Sequence, residues 1–143
     1  MRELNANFAT ELTEEKEVKK RIMVDALTER IIGAAIEVHR ELGPGLLESI
    51  YEEALCHEFE YQDINYKRQV PVDIHYKEKA IKGFKLDLLV EDEVIVELKA
   101  VQLPPKLALS QTISYLKATK LKRGLIINFG ENRLIDGIKR VSV

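Results

Sequence analysis

Between Lys85 and Lys99 the chain alternates apolar and polar positions, breaks, and alternates again. Leu86, Leu88 and Val90 interleave with Lys85, Asp87 and Leu89. Glu91-Asp92-Glu93 interrupts, and Val94, Val96 and Leu98 then interleave with Ile95, Glu97 and Lys99. Alternation in aliphatic residues across a short polar break predicts two antiparallel strands with a tight connection. With Val90 opposite Val94, Asp87 falls opposite Glu97 and Lys85 opposite Lys99. Successive side chains point to opposite faces, so these four charges share one side. The other side (Leu86, Leu88, Val90, Val94, Val96 and Leu98) is uniformly apolar and is expected to be core.

Elsewhere the hydrophobic period is helical. Leu27, Ile31, Ala34, Ala35, Val38 and Leu42 predict a helix over 25–42, with Ile32 and Ile36 widening its stripe. Gly43-Pro44-Gly45 stops it, because Gly takes the left-handed cap and Pro cannot continue the ladder. A second helix is expected from Leu46 to Tyr61. Tyr66 to Tyr76 and Ala80 to Val90 read as strands joined at Lys77-Glu78-Lys79, and with Val94 to Lys99 they form an antiparallel meander. Pro71 has no backbone donor, which puts the first of these strands at an edge. Pro104-Pro105 marks a loop before a helix over Lys106 to Thr119. Gly124 to Phe129 reads as a buried strand, Asp136-Gly137 as a turn, and Ile138 to Val143 as a final strand.

Residues 1–24 are polar, with Leu4, Phe8 and Leu12 at four-residue spacing. Glu15 with Lys19 and Glu17 with Arg21 favour helix over 11–24. The segment reads as a charged arm or lead helix ahead of a domain over 25–143, either packed on a partner subunit or disordered at its start.

The chemistry of interest sits on the hairpin. Facing carboxylates with Cβ atoms about 5 Å apart repel by on the order of 3 kcal/mol at an effective dielectric near 20. A divalent cation with oxygen ligands would offset this. Neutralisation by Lys85 and Lys99 in a surface checkerboard is the alternative. Glu48 falls in the first turn of the second helix, where the dipole alone favours it by about 0.3–1 kcal/mol; aimed at the hairpin, it would be a third carboxylate. Tyr51 shares its helix face and reads as core. Gln111 shares a face with Leu107 and Tyr115, and it either lies on the helix surface or faces the same cleft as the hairpin charges. His39, His57 and His75 show no metal-ligand spacing, and Cys56 reads as a packing residue.

Composition narrows this only a little. The length suits one domain. There is neither an apolar run of membrane-spanning length nor a signal-peptide core, and a lone cysteine suits a reducing cytoplasm. Charge is unevenly placed. Residues 1–63 carry 7 Lys and Arg against 15 Asp and Glu, and residues 64–143 carry 15 against 9. The basic half suits a polyanionic partner, although the net charge of −2 argues against an indiscriminate DNA coat protein. Lys117, Lys120, Lys122 and Arg123 cluster before the strand at Gly124.

Asp87, with Glu97-Leu98-Lys99 beyond it, resembles the D…(D/E)-x-K signature of the PD-(D/E)xK nuclease superfamily, and the element order resembles that superfamily's core. Gly45-Leu46-Leu47-Glu48-Ser49-Ile50-Tyr51 matches the motif of its bacterial GxxExxY branch. The segments Ile31-Ile32-Gly33-Ala34-Ala35-Ile36-Glu37-Val38-His39 and Ile127-Asn128-Phe129-Gly130 are also similar to that branch. The likeness covers residue 25 to the C-terminus, and Leu86 replaces the signature's Pro. It implies an α/β, restriction-endonuclease-like αβββαβ core with a mixed sheet flanked by helices. It further implies Glu48, Asp87 and Glu97 as ligands of Mg²⁺ (Mn²⁺ substituting), with the Leu98 carbonyl a further ligand. Lys99 would then activate water or clamp phosphate. Gln111 and Tyr115 resemble a Q-x-x-x-Y element. Nucleic-acid contacts are expected from Lys85, Tyr115, Lys117, Lys120, Lys122 and Arg123. The activity so implied is a cytoplasmic phosphodiesterase, with DNA ahead of RNA and a homodimer for cutting both strands. A non-cleaving nucleic-acid-binding or adaptor protein is the alternative, and a scaffold self-associating through 1–24 a third.

Overall fold

The structure is a computed structural model that describes residues 2–102 and 106–143; within the first helix the side chains of residues 2–8, 21, 23 and 24 are not described. The expected Pro104-Pro105 loop, the side chains of Leu4 and Phe8, and the Glu17–Arg21 pair therefore lie outside the described residues.

No Pro or Gly interrupts the chain before Gly33, and helix α1 runs unbroken from Arg2 to Leu42. The boundary expected near residue 24 therefore falls inside one helix. Its course from Ala9 to Lys20 is exposed, whereas Ile31, Ile32, Ala34, Ala35 and Val38 are buried. Ile36 and Leu42 are exposed, so α1 buries one face and not the wider stripe that its composition suggests. Gly43 ends it at φ +66°, and its N–H reaches the His39 carbonyl at 2.7 Å. Helix α2 follows over Glu48–Tyr61.

The strands are β1 (Tyr66–Tyr76), β2 (Lys79–Val90), β3 (Val94–Lys99), β4 (Arg123–Asn128) and β5 (Ile138–Ser142). Helix α3 (Ala108–Thr119) lies between β3 and β4, and a short 3-10 turn spans Leu134–Gly137. The strands form one mixed sheet in chain order, with β3 and β4 parallel and all other neighbours antiparallel. β1 is an edge strand, as Pro71 requires. This is the α/β, restriction-endonuclease-like arrangement of a mixed sheet flanked by helices.

Both faces of the sheet are covered. Leu88, Val90, Val94, Val96 and Leu98 pack with Leu125, Ile127 and Phe129 against α1 and α2. Ile95, Ile126 and Val141 pack against Ala108, Tyr115 and Leu116 of α3. β3 is accordingly buried on both sides until Lys99. Leu86 departs from the alternation, since it joins the α3-side cluster while Leu88 joins the opposite one. The reversal is centred on Asp87. Gln69, which falls between the ladder pairs Arg68↔Leu88 and Val70↔Leu86, has φ +49° there. The local backbone is thus turned out of regular pleat at the residue that matters most.

Candidate active site

The β2–β3 ladder runs through Val90↔Val94, Leu89↔Ile95 and Leu88↔Val96. Beyond Leu88 and Val96, side chains take over from the backbone ladder. Asp87 Oδ2 accepts the Leu98 N–H at 2.8 Å, and Glu97 Oε1 accepts the Asp87 N–H at 3.4 Å. The two carboxylates are thereby wedged between diverging strands, each tethered to the strand opposite. Lys85 is not the partner of Lys99 in this arrangement. It is exposed and opposite Pro71 of β1, while Lys99 is opposite Asn128 of β4.

Closely placed acids in a poorly hydrated wedge resist double ionisation. Burial, then the charge of Asp87, pushes the Glu97 carboxyl up to about 8. Asp87 is also raised, chiefly by burial, and this is opposed first by its hydrogen bond from Leu98. Both acids are thus disfavoured in the ionised form, and the pair resists carrying two negative charges at once. The Lys99 ammonium lowers Asp87, Glu97 and Glu48 alike, which puts this one cation within electrostatic reach of all three acids.

Glu48 comes from the other layer. Gly43 and Gly45, both at positive φ, turn the chain around Pro44 and deliver it as the first residue of α2. Tyr51, one turn on, locks this loop: its hydroxyl donates to the Gly43 carbonyl and accepts the Leu46 N–H at 3.2 Å. Its ring stacks on Phe129 with centroids 4.5 Å apart. Tyr51 is thus a fully buried clamp, as its helix face suggests. Glu48 is exposed, and its carboxyl is raised by partial burial and by Asp87.

Sequence reasoning missed three supports of the site. Glu52, one turn after Glu48, accepts from Arg68 at 2.9 Å and from Gln69 at 2.8 Å, which ties α2 to the strained part of β1 opposite Asp87. Its i,i+4 spacing from Glu48 was the available signal. Asn128 is buried beside the exit of β3. Its Oδ1 accepts the Val101 and Gly130 N–H groups at 3.1 and 3.0 Å, and its Nδ2 donates to the Val101 carbonyl at 2.7 Å. The Phe129 N–H adds a bond to the Lys99 carbonyl at 2.8 Å. Lys99 therefore leaves the sheet on a fixed course.

Of the remaining expected residues, Tyr115 is brought in. It is buried on α3, its phenol is raised by burial and by Glu97 and Asp87, and its ring meets Phe84 edge-on at 6.1 Å. Gln111 is exposed one turn earlier on the same helix. The basic cluster is not brought in. Parallel pairing sets Arg123 beside Val94 and Asn128 beside Lys99, so the start of β4 is about 17 Å from Lys99 at 3.3 Å per residue. Lys117, Lys120 and Lys122 lie at that far end, and Arg123 pairs with Asp25 at 3.3 Å. His39 is buried and hydrogen-bonded to the Glu131 carbonyl at 2.8 Å, whereas His57 and His75 are exposed. Cys56 is buried in the core, and burial pushes its thiol up to about 11, which keeps it inert.

Residues 25–141 match the family model of the PD-(D/E)XK nuclease superfamily. The chain belongs to this superfamily. No curated protein and no solved structure matches it. Membership implies a nucleic acid as substrate, and PD-(D/E)XK nucleases typically use divalent metal ions. No helix among the described residues is long and apolar enough to cross a membrane.

Whether the residues of this PD-(D/E)XK chain suit a dication is a matter of donor chemistry. Among the described residues no group of three or more His, Cys, Asp and Glu side chains is gathered so as to hold a metal ion by itself. Asp87 and Glu97 offer hard oxygen donors, and Glu48 is linked to them by charge. Such a set of hard oxygen donors fits a divalent cation that also takes ligands from waters and substrate phosphates.

Proposed function

We propose that this chain is a Mg²⁺-dependent nuclease that hydrolyses phosphodiester bonds in DNA, with Mn²⁺ able to serve in place of Mg²⁺, and that it is a member of the GxxExxY branch. The branch assignment rests on Gly45, Glu48 and Tyr51, which act together as a loop, an acid and the clamp that positions it. The observation that carries the activity is the half-buried Asp87 and the buried Glu97, each hydrogen-bonded to the strand opposite, with the Lys99 charge within electrostatic reach of both.

Asp87 and Glu97, together with Glu48 from the start of α2, would hold the ion, with Glu97 in its ionised form. The dication, when bound, supplies Lewis acidity and a water of lowered pKa. Lys99 clamps the scissile phosphate, a role in which its fixed course from β3 places charge where it develops. Tyr115, and Gln111 one turn before it on α3, would contact the nucleic acid from the α3 side. A cytoplasmic homodimer would cut both strands together.

The test is relaxation of supercoiled plasmid in Mg²⁺ or Mn²⁺. Wild type is expected to nick, and Asp87→Ala to lose nicking by at least about 10²-fold, because a carboxylate ligand of the ion is gone. Retention of DNA by both proteins with no nicking by wild type would favour the non-cleaving reading.

A further inference from the structure

β2 pairs with β3 only from Leu88 to Val90, yet it begins at Lys79. Its first residues, Lys79 to Lys85, pair with β1 alone and are all exposed. The outer halves of β1 and β2 are thus a two-stranded ribbon that leaves the sheet beside Asp87. A free hairpin is marginally stable in water, and this one is held at its base. Val72 is buried against the α3 layer, and Phe84 meets Tyr115. A register shift between Val72 and Ile74, with Gly83 at φ +119° across from it, adds right-handed twist.

The ribbon carries the acids Asp73 and Glu78, but its lysines outnumber them and, among the described residues, are not paired within the fold. Lys67, Arg68, Arg123 and Arg140 all pair with carboxylates elsewhere on the surface. Among the described residues Lys77, Lys79, Lys82 and Lys85 make no ion pair; the Lys77 ammonium lies 5.4 Å from the centroid of the Tyr76 ring. Interleaved with these cations are large apolar side chains held in water: Tyr76, Ile81 and Phe84 are 63%, 41% and 42% exposed. Beyond the Val72 and Phe84 contacts at its base the fold makes no use of this combination, whereas phosphates and base edges together would satisfy both halves of it.

We propose that the outer β1–β2 ribbon is a nucleic-acid-binding arm that seats in the major groove of double-helical DNA next to the carboxylate wedge. Strands in a ribbon lie about 4.8 Å apart, and a groove about 12 Å wide admits such a pair with its side chains. From Leu86 to Lys79 the arm reaches roughly 23 Å at 3.3 Å per residue, enough to track the groove over several base pairs. The A-form major groove of duplex RNA is too deep and narrow for it. The lysines contact phosphates, and the exposed apolar residues meet base edges such as the thymine methyl. The inference deepens the nuclease reading by naming its substrate as duplex DNA, and it rests on that reading only for the purpose of the arm, not for binding itself.

Binding is measured with the intact protein in EDTA, so that cleavage plays no part, by fluorescence anisotropy of a labelled DNA duplex across a salt series. The variant Lys77→Ala/Lys79→Ala/Lys82→Ala is expected to bind more weakly. The slope of log K against log salt should fall by about 2.7, or 0.9 for each lost phosphate contact. The matching Lys→Arg variant should keep the wild-type slope, which separates charge from any loss of folding. Wild type should bind an RNA duplex of the same sequence more weakly than the DNA. Equal affinity and slope in the alanine variant, or equal binding of DNA and RNA duplexes, would overturn the arm. Because no cleavage is read, a protein that binds through the arm yet never nicks would leave this inference standing while the nuclease reading fell.

Discussion

Replacing Glu97 by glutamine is expected to stabilise the fold and silence the nuclease in one step. The wild-type carboxyl is held at about 8, against an ordinary value of 4.5. Between those values the unfolded chain binds fewer protons at this group than the folded one, so stability falls as pH rises from about 4.5 to about 8. The contribution is fully present below the lower value and lost above the higher. The raised carboxyl of Asp87 acts in the same sense. Glutamine mimics the protonated acid: its Oε1 accepts the Asp87 N–H, and its amide donates toward the Asp87 carboxylate. Allowing for the water that reaches this site, the gain at pH 8 is about 1–3 kcal/mol, or roughly 3–10 °C in melting temperature. Thermal unfolding followed from pH 4.5 to 8.5 should decline for wild type and be flatter for Glu97→Gln. An identical pH dependence in the two proteins would contradict the buried, proton-sharing pair. Loss of cleavage follows from loss of a negative ligand. The site is strained for function, and that strain is what the substitution relieves.

The second large effect concerns Lys99. Its ammonium is the charge that lowers Glu48, Asp87 and Glu97 together. Lys99→Ala removes both that support and the proposed clamp on the scissile phosphate, and kcat should fall by about 10²–10³-fold. The duplex KM, set largely by the lysines of the β1–β2 arm, should change far less. Lys99→Arg restores charge with a different shape and should recover only part of the loss. A fall confined to KM would assign Lys99 to binding instead of to the reacting phosphate.

Much of this site was legible in the sequence, and what was not has identifiable physical causes. Alternation around the Glu91-Asp92-Glu93 break placed Val90 opposite Val94, and the proximity of Asp87 and Glu97 followed from it. Pro71 marked the edge strand, and Gly43-Pro44-Gly45 marked the helix stop. Period-two counting failed at Leu86, because the regular pleat gives way where side-chain carboxylates replace backbone partners; Leu86 therefore turns to the α3 side. It failed similarly for Lys85 opposite Lys99. The basic run from Lys117 to Arg123 follows the site closely in sequence, but a parallel crossover returns the chain to the opposite end of β3. Local spacing carries no information about that reversal. The spacing of Glu52 from Glu48 marks the residue but not its partners: Glu52 and Asn128 make their contacts through tertiary pairing, to Arg68 and Gln69 in one case and to Val101 in the other.

The central claim is that Asp87 and Glu97 form a dication site whose acid must deprotonate to bind. Calorimetric titration of Mn²⁺ into the metal-free protein at pH 7, in buffers of different ionisation enthalpy, tests it without any substrate. The account predicts one ion per chain, release of close to one proton on binding, and loss of both in Asp87→Asn/Glu97→Gln. Binding of Mn²⁺ that persists unchanged in the double variant, or no binding by wild type at millimolar ion, would contradict it.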